Sequence, residues 1–575
     1  MSAMETILRV CLLIGSMTGY LLLFTHKFHV RIQFAPALYC AWTSHLLFLA
    51  GCLQILPQTV WIWLAGGIFL LAAAFRRNWR PDRHSLIVYG AFGCVLVWFF
   101  FLLQGAHMTS YDNFSHWATV VKDMLRENRL PDSQDALIRF QSYPLGSSLF
   151  IYGICTVMGA AEGIMLWAQV CMDISFLFCL FVFVQKTNWY LTVVPVLYGL
   201  WALTVNNSIY ELRVDTLLPL CGTAAFAMIY AYRKEPVKAS DCAAGMWMLL
   251  LQIKNSGIFF YLVCLLFFLL YERKALLQLK LRFFCGGILA PVLTLFLWKG
   301  HVAAAFSDGM SSKHSMNLAH FEEMAAKKSA DDIREIGLHI LSRFGDPASI
   351  EVKMALLLTV FLFVVAVLCY RSGQAKKIVW LLVSCLGCLA LYTLSLYAMY
   401  VFSMPMAESA RLASYDRYML SVLIFICGIA AVVVTEISSR CTKTSLLRML
   451  CAVQLLFVIL LTGHAAKKLP LLYKQPDFAK SKRSQLQQMI RENGITEGQS
   501  CLIYCNRSDD DARYFFYLTR YELWSDEILV VQPEEWKEKA SALTDYDVLM
   551  VWDPDEDIKT YLNKHPEIRS IVRDT

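Results

Sequence analysis

Apolar residues fill long stretches of this sequence, and polar residues are concentrated between them. Fourteen apolar stretches of about 15–25 residues predict membrane-spanning helices, because about 20 apolar residues cross the hydrocarbon core of a bilayer. They cover residues 6–24, 34–56, 58–75, 85–104, 164–184, 190–205, 216–232, 240–253, 257–271, 282–299, 352–370, 378–402, 418–435 and 446–463. We therefore expect a polytopic α-helical membrane protein with about 14 spans.

Composition supports this class. Hydrophobic residues make up 57% of the chain and charged residues only 17%, whereas a soluble domain carries about 25% charged residues. The net charge of +7 is interpreted as a topology signal, since no basic-aromatic repeat indicates a nucleic-acid partner. Cys385 and Cys388 have the spacing of metal ligands, but they lie inside an apolar stretch and are expected to pack as small hydrophobes.

Basic residues predict the orientation of the spans. Twenty of them lie in seven connectors, which read HKFHVR, RRNWRPDR, QKTN, YRKEPVK, YERKALLQLKLR, RSGQAKK and SSRCTKTSLLR. The positive-inside rule places these connectors in the cytoplasm of a cell that we expect to be bacterial. The segment 146–160 must then be a re-entrant or surface helix on the outer side. The stretch 6–24 lacks the features of a cleaved signal peptide and is expected to be retained.

The last part of the chain has a different pattern. The stretches CLIYCNRS, EILVVQ and YDVLMVW predict strands, and DDARYFFYLTR, PEEWKEKASAL and DIKTYLNKH predict helices. This alternation is typical of a small α/β domain with a parallel sheet, here expected outside the cell. The segment lacks a glycine-rich phosphate-binding loop, so no nucleotide is expected.

Asp112 and His116 follow directly after the fourth span, in SYDNFSHW. An aspartate before a helix can cap the helix N-terminus. A partly desolvated carboxylate at the mouth of a cavity can also act as a general base, and the two roles are compatible. His116 lies one turn later and is expected mainly to orient or pack. Apolar residues at helical spacing predict that residues 114–125 form a helix along the membrane interface.

Glu211 and Asp215 lie four residues apart in NNSIYELRVD, at the outer end of another predicted span. Two carboxylates at that depth are costly unless they are paired or bind an ion or substrate. One alternative is that Arg213 neutralises one of them in a structural salt bridge. Alternatively, Asp112 and Asp215 could share Mg²⁺ or Mn²⁺, because hard oxygen ligands suit these ions.

Several basic residues also fall on the outer side. Lys254, in LLQIKNSGIFF, either extends its ammonium group to water or meets an anionic headgroup. Arg417, in SYDRY, suits phosphate oxygens but could simply pair with the adjacent Asp416. Further candidates for phosphate or substrate binding are Glu408 and Arg411 before that span, and Lys313 and His314 in the loop SSKHSMN, which either closes a cavity or is solvated.

Four stretches in this order resemble the GT-C superfamily of integral-membrane glycosyltransferases, which includes oligosaccharyltransferases, protein mannosyltransferases and aminoarabinose transferases. They are SYDNFSHW, YPLGSSLFIYGICTVMGAAEGIMLWAQ, NNSIYELRVD, and LLQIKNSGIFF with the later SYDRY. The resemblance covers residues 85–463 and implies a catalytic membrane core there. The additional helices in 1–84 and the small α/β domain in 464–575 lie outside it and depart from the family pattern. The ELRVD stretch departs from the strict Asp-x-Asp pair of the family.

The resemblance also implies a reaction. A polyprenyl phosphate would carry a sugar on the outer leaflet, and an envelope glycan, lipid or protein would accept it. Asp112 would take the proton of the acceptor hydroxyl, and direct attack would invert the anomeric carbon. Lys254 and Arg417 would stabilise the leaving phosphate. Glu211 and Asp215 would orient the sugar, the acceptor or an ion, so these five side chains should line one outward cavity.

Other functions fit the same broad pattern. A polysaccharide polymerase or ligase uses similar lipid-linked substrates. A flippase or transporter also combines many spans with buried charges, although transporters often contain internal repeats, and none is visible in this sequence. A non-catalytic envelope scaffold is the remaining alternative.

Overall fold

The computed structural model describes residues 3–79, 81–273, 280–306, 318–539, 545–566 and 570–573. Within these ranges, ten helices are long and apolar enough to cross a membrane. Each of the fourteen apolar stretches lies on a helix. The ten long helices account for ten of the predicted spans, and the other four are helices of 15 to 18 residues. The chain is therefore a polytopic helical membrane protein, and the count of fourteen spans stays a prediction.

The helices of the first half begin with four long segments and continue through shorter ones. They are α1 (Ala3–Leu22), α2 (Ala35–Cys52), α3 (Leu56–Arg76), α4 (Arg83–Leu103), α5 (Ala118–Glu127), α6 (Gly146–Met158), α7 (Glu162–Phe178), α8 (Val193–Val205), α9 (Leu217–Ala231), α10 (Pro236–Ile253), α11 (Gly257–Glu272), α12 (Lys280–Phe283) and α13 (Ala290–Ala305). Short π- and 3₁₀-helical segments extend several of them, including a π-helix at Asn113–Trp117 directly before α5.

The second half adds the remaining helices and a sheet. The helices are α14 (Leu318–Ala326), α15 (Ala330–Gly345), α16 (Ile350–Leu368), α17 (Ala375–Phe402), α18 (Met406–Ala410), α19 (Tyr415–Ser439), α20 (Thr444–His464), α21 (Lys482–Glu492), α22 (Asp509–Leu523), α23 (Pro533–Lys539) and α24 (Glu556–Lys564). The strands are β1 (Cys501–Cys505), β2 (Ile528–Val531), β3 (Val548–Trp552) and β4 (Ser570–Arg573).

Helix α19 forms the centre of the bundle, and its apolar residues are buried over almost the whole length of the helix. It packs against α9, α16 and α17. Gly428 permits the close approach to α9, because a Cβ atom there would lie 2.6 Å from Thr223 Cγ2 and 2.7 Å from the Tyr198 hydroxyl. A rigid central helix fixes the position of whatever side chains its first turn carries.

Helix α5 does not expose an apolar face to lipid, contrary to the interfacial helix expected for residues 114–125. Phe114, Trp117, Val121 and Met124 are all buried. One reason is α6, the expected non-crossing helix, which packs against α5. The other is the C-terminal domain, because the Phe114 ring lies 5.2 Å from that of Tyr521. Protein therefore covers the face that the sequence assigned to the membrane surface.

The C-terminal strands form one sheet in the order β2-β1-β3-β4, and the three pairings are parallel. This confirms the α/β character expected from the alternating pattern. β1 and β3 are buried along their full length. Cys501 and Cys505, at the two ends of β1, are both free. Helix α21 and strand β4 were not predicted from the sequence.

Candidate active site

Six charged side chains meet at one end of the bundle, and we call them the ion-pair cluster. Its members are Asp112, Glu211, Arg213, Asp215, Lys254 and Arg417. The structure thus brings together all five residues that the sequence singled out for catalysis and phosphate stabilisation. Three carboxylates face three cations, so the fully ionised cluster carries no net charge.

Arg213 lies among all three carboxylates. Its guanidinium is 3.2 Å from Asp112, 3.0 Å from Glu211 and 3.5 Å from Asp215. The salt bridge considered from the sequence is therefore present, but Arg213 pairs with Asp112 as well as with its two neighbours in ELRVD. Its position between Glu211 and Asp215 was the sequence feature that indicated the pairing.

Arg417 joins the first outer loop to the second. Its Nη1 donates a hydrogen bond of 2.6 Å to Asp112 Oδ2, and its Nε lies 2.9 Å from Asp215 Oδ2. The second contact is an ion pair by distance, but the two atoms lack the alignment of a hydrogen bond. Lys254 Nζ donates to the other oxygen, Asp215 Oδ1, at 2.7 Å. Asp215 is thus held from both sides.

Burial and charge set opposite pKa shifts on the two acids of the second loop. Burial alone would raise the pKa of Asp215, but Lys254, Arg417 and Arg213 outweigh it and hold this pKa below its usual range. At Glu211 burial dominates and raises the pKa to about 7, with Arg213 only partly opposing it. Asp215 is therefore a fixed anion, whereas Glu211 titrates near neutral pH.

Asp112 does not cap a helix. Its backbone is already helical, and its side chain makes no capping hydrogen bond. Both of its ion pairs use Oδ2, and within the described ranges Oδ1 makes no hydrogen bond or ion pair. Two guanidinium groups therefore orient this carboxylate and leave one oxygen available to a ligand. The alternative that Asp112 serves as an N-cap is wrong.

Lys254 is positioned by a tight turn between α10 and α11. It adopts an extended conformation at the end of α10, and Gly257 begins α11. A Cβ atom at Gly257 would lie 1.8 Å from the carbonyl oxygen of Leu250, so only glycine fits there. The turn directs Lys254 to Asp215 and to the face of Tyr418, 5.1 Å from its ring centroid. The lysine does not snorkel to water.

Arg417 lies in the first turn of α19. The preceding turn contains two non-glycine residues with positive φ, Leu412 (47°) and Ser414 (64°), a conformation that is uncommon outside functional or tightly held sites. Asp416 does not pair with Arg417 and instead accepts a hydrogen bond from Arg343. The simple neighbouring pair considered from the sequence is therefore wrong, and Arg417 faces the cluster.

His116 is buried in an aromatic pocket formed by Trp117, Phe140 and Tyr143. Burial lowers its pKa to about 3, so the ring is neutral at physiological pH. Neither ring nitrogen has a hydrogen-bond partner among the described residues. A neutral imidazole cannot supply charge to a phosphate, and the contacts favour the packing role.

A cavity of about 550 Å³ opens beside the ion-pair cluster. Asp112, Asp215, Lys254 and Arg417 line it, whereas Glu211 lies behind Arg213 and does not. From the list of further candidates, His116, Glu408 and Arg411 also line the cavity. Lys313 and His314 lie outside the described residues.

The C-terminal domain supplies another wall of this cavity, which sequence reasoning missed. The wall consists of Ser481, Lys482, Asp510, Asp511, Arg513 and Tyr514. Lys482 pairs with Asp511, and Arg411 of the membrane part lies 4.0 Å from Asp510. Nothing in the local sequence marks these residues, because their role depends on how the domain docks.

A buried arginine docks the C-terminal domain. Arg483 donates two hydrogen bonds to Glu162, at 2.6 and 2.7 Å, and one to the carbonyl oxygen of Met108 at 2.6 Å. Glu522 accepts a further bond from Arg483 Nε, and Tyr521 donates to Glu162 at 3.0 Å. This network fixes the domain over the first outer loop, and with it the outer wall of the cavity.

A second, apolar groove of about 630 Å³ adjoins the cavity. Four residues line both spaces: Tyr143, Lys254, Met404 and Tyr418. Phe259 and Leu262 of α11, Phe321 of α14, and Met399 of α17 form part of the apolar lining. Lys254, the only charged residue in both linings, therefore stands where the groove meets the polar cavity.

The residues present do not fit a divalent metal ion. Arg213, Arg417 and Lys254 already engage both oxygens of Asp215 and Oδ2 of Asp112. Across the part of the chain that the structure describes, no three His, Cys, Asp or Glu side chains converge as metal ligands. Asp215 would have to lose these partners to coordinate an ion, and Asp112 could offer only Oδ1.

No family model matches the sequence, and no curated protein does. Two solved structures of ArnT from Cupriavidus metallidurans are similar. For ArnT bound to undecaprenyl phosphate, the match covers 86% of this chain and 90% of that chain, with 11% identity and a TM-score of 0.42. For ArnT in the apo state, the values are 83%, 91%, 14% and 0.35. The likeness in chain path is loose, and the chemistry of the site is inferred from its own geometry.

Proposed function

We propose that this protein is a membrane glycosyltransferase that moves a sugar from a polyprenyl-phosphate-linked donor to a cell-envelope acceptor on the outer face of the membrane. One observation carries the proposal. An apolar groove and a charged, polar cavity share a wall at Lys254. A polyprenyl-phosphate sugar consists of an apolar chain, an anionic phosphate and a polar sugar ring. The groove suits the chain, Lys254 suits the phosphate, and the polar cavity suits the sugar.

The donor would lie with its isoprenoid chain in the groove and its phosphate beside Lys254 and Arg417. Lys254 supplies a compact charge, and Arg417 supplies a planar set of donors suited to phosphate oxygens. Arg417 Nε is poorly aligned with Asp215 Oδ2 in this structure, so a phosphate oxygen can take that donor at little cost. Charge that develops on the leaving group would be stabilised by these two cations.

The acceptor would approach from the wall formed by the C-terminal domain. Its hydroxyl oxygen attacks the anomeric carbon as the bond from that carbon to the phosphate oxygen breaks. Oδ1 of Asp112 takes the hydroxyl proton, and the polyprenyl phosphate leaves. A single displacement of this kind inverts the anomeric carbon. Arg213 and Arg417 would hold the carboxylate in position during proton transfer.

Replacing Asp112 tests the base. Asp112→Asn keeps the shape of the side chain and removes its proton-accepting ability, so transfer should fall by about 10²–10⁴-fold, the usual contribution of a general base. The assay measures glycosylated acceptor formed by purified protein in liposomes containing the lipid-linked sugar. Glu497→Gln, an exposed acid on the C-terminal domain, is the control and should leave the rate unchanged.

The same preparation separates a transferase from a flippase. A transferase releases polyprenyl phosphate only when an acceptor with a free hydroxyl is present. A flippase moves intact donor between leaflets without any acceptor. Full product formation by Asp112→Asn, or donor movement that is independent of acceptor, would refute the proposal.

A further inference from the structure

A third cavity, of about 280 Å³, lies on the other side of the first outer loop. It shares no lining residue with the cavity of the candidate active site. Four carboxylates and one guanidinium line it: Asp123 and Glu127 of α5, Arg129 and Asp135 of the following loop, and Asp526 of the C-terminal domain. The lining is therefore strongly anionic.

Arg129, the single cation of the lining, is already bound to other acids. Arg129 donates to both oxygens of Asp135, at 2.8 and 2.9 Å, and also pairs with Asp132 at 2.8 Å. It neutralises Asp135 and Asp132 and only partly offsets the charge of Asp123. Among the described residues, Asp123, Glu127 and Asp526 make no ion pair with a cation of the lining.

Asp123 is the residue that points to a ligand. It is only 3% exposed, and neither of its oxygens makes a hydrogen bond or ion pair among the described residues. Leaving a carboxylate buried without a partner is costly. Burial, with Asp135 adding to it and Arg129 only partly opposing it, raises the pKa of Asp123 to about 8. An acid of this kind at the wall of an anionic cavity is a binding group for a cation.

The arrangement of the carboxylates favours an ammonium group over a metal ion or a guanidinium group. No three ligating side chains in the described ranges converge on a metal position. A guanidinium group binds best when both oxygens of a carboxylate are open to its two parallel N–H donors, as the Arg129–Asp135 pair shows, but Asp123 Oδ2 is fully covered. An ammonium group carries three donors that can each meet one oxygen. We propose that this cavity binds the primary ammonium group of a small organic amine.

The wall on the side of the C-terminal domain is rigid. Trp524 lines the cavity with φ at 47°, which is unusual for a bulky residue. Lys122 Nζ lies 4.7 Å and the Arg126 guanidinium 5.1 Å from its ring. These cations fix the ring without lining the cavity. Because α5 and the C-terminal domain both contribute walls, a bound amine would also strengthen the docking of the domain.

Calorimetric titration of the intact protein in nanodiscs tests the site, with glucosamine as the probe and glucose as its uncharged match. Glucosamine should bind saturably and glucose should not. Asp123→Asn should weaken binding by roughly tenfold or more, the effect of losing one charge-assisted hydrogen bond. Glu127→Gln and Asp526→Asn, which change exposed rim residues, should weaken it less. Glu535→Gln, an exposed acid of α23 outside the lining, should leave it unchanged.

Three results would overturn the proposal: equal binding of glucose and glucosamine, Mg²⁺ binding in place of glucosamine, or unchanged affinity in the variants of the lining. If Asp123→Asn does not fold, the two rim variants decide the outcome. The site does not depend on the proposed transferase activity, and Asp112→Asn should bind glucosamine with the affinity of the parent protein.

Discussion

Arg417 contacts both the proposed base, Asp112, and the buried anion Asp215, and Arg417→Lys tests the importance of this double contact. The guanidinium reaches Asp112 through Nη1 and Asp215 through Nε, at 2.6 and 2.9 Å. A lysine has one nitrogen on a flexible stem and cannot keep both contacts in this geometry. The substitution retains the charge and removes one charge-assisted contact.

The expected loss is that of the Arg417 Nη1–Asp112 Oδ2 hydrogen bond, because the contact of Nε with Asp215 lacks hydrogen-bond alignment. A hydrogen bond to a charged group contributes roughly 1.5–3 kcal/mol, which corresponds to a decrease in kcat/KM of roughly 10–150-fold. The assay is sugar transfer from a lipid-linked donor to acceptor in liposomes. Arg411→Lys is the matched control, because Arg411 lines the same cavity but its ion pair, with Asp510, is 4.0 Å long and exposed.

Two outcomes would refute this reasoning. One is a rate within about twofold of the parent protein, a change of only about 0.4 kcal/mol. The other is an equal loss in Arg411→Lys, which would indicate a general electrostatic effect of the cavity. A double-mutant cycle with Asp215→Asn adds a second check, because residues in direct contact should give non-additive losses.

Three further predictions concern the acid behind the site, the docked domain and the groove. Burial raises the pKa of Glu211 from 4.5 to about 7, so its contribution to stability is full below about pH 4.5 and is lost as the pH rises towards 7. Glu211→Gln should remove roughly 3 kcal/mol of this pH dependence, measured by thermal unfolding between pH 4.5 and 8; an unchanged slope would contradict the assignment. Arg483→Met removes the cation that pairs with Glu162 and Glu522 and should cost about 3–5 kcal/mol, seen as faster hydrogen exchange in the C-terminal domain, whereas the exposed Lys480→Met should show no change. Ala398→Trp should obstruct the groove and raise KM for long-chain donors but not for short-chain ones, and Ala390→Trp on the exposed side of the same helix should raise neither.

The membrane helices were predictable because a span is a local property of composition. Each apolar stretch became a helix, and the parallel sheet followed from the strand and helix pattern of the last hundred residues. The helix at residues 114–125 shows the limit of this reasoning. Its apolar spacing was recognised, but the sequence could not show whether lipid or protein covers that face, and protein does.

For the candidate site, the sequence indicated which residues take part but not which of them contact one another. Asp112, Asp215, Lys254 and Arg417 were conspicuous as polar residues at the ends of apolar stretches. Their partners were not, because Asp112 and Arg417 are 305 positions apart and only the tertiary fold brings them together. The wall at Lys482 and Tyr514 had no local signal at all, since its contribution depends on the docking of Arg483.

The pairing of Asp215 with Lys254 and Arg417 bears on turnover. A protein that presents two uncompensated cations to a lipid phosphate would hold its spent carrier as firmly as its substrate. In the proposed transferase, Asp215 would compete for the same nitrogen atoms and take them back once the sugar had been transferred. Asp215 would thus compete with the polyprenyl phosphate product, and its removal would slow product release.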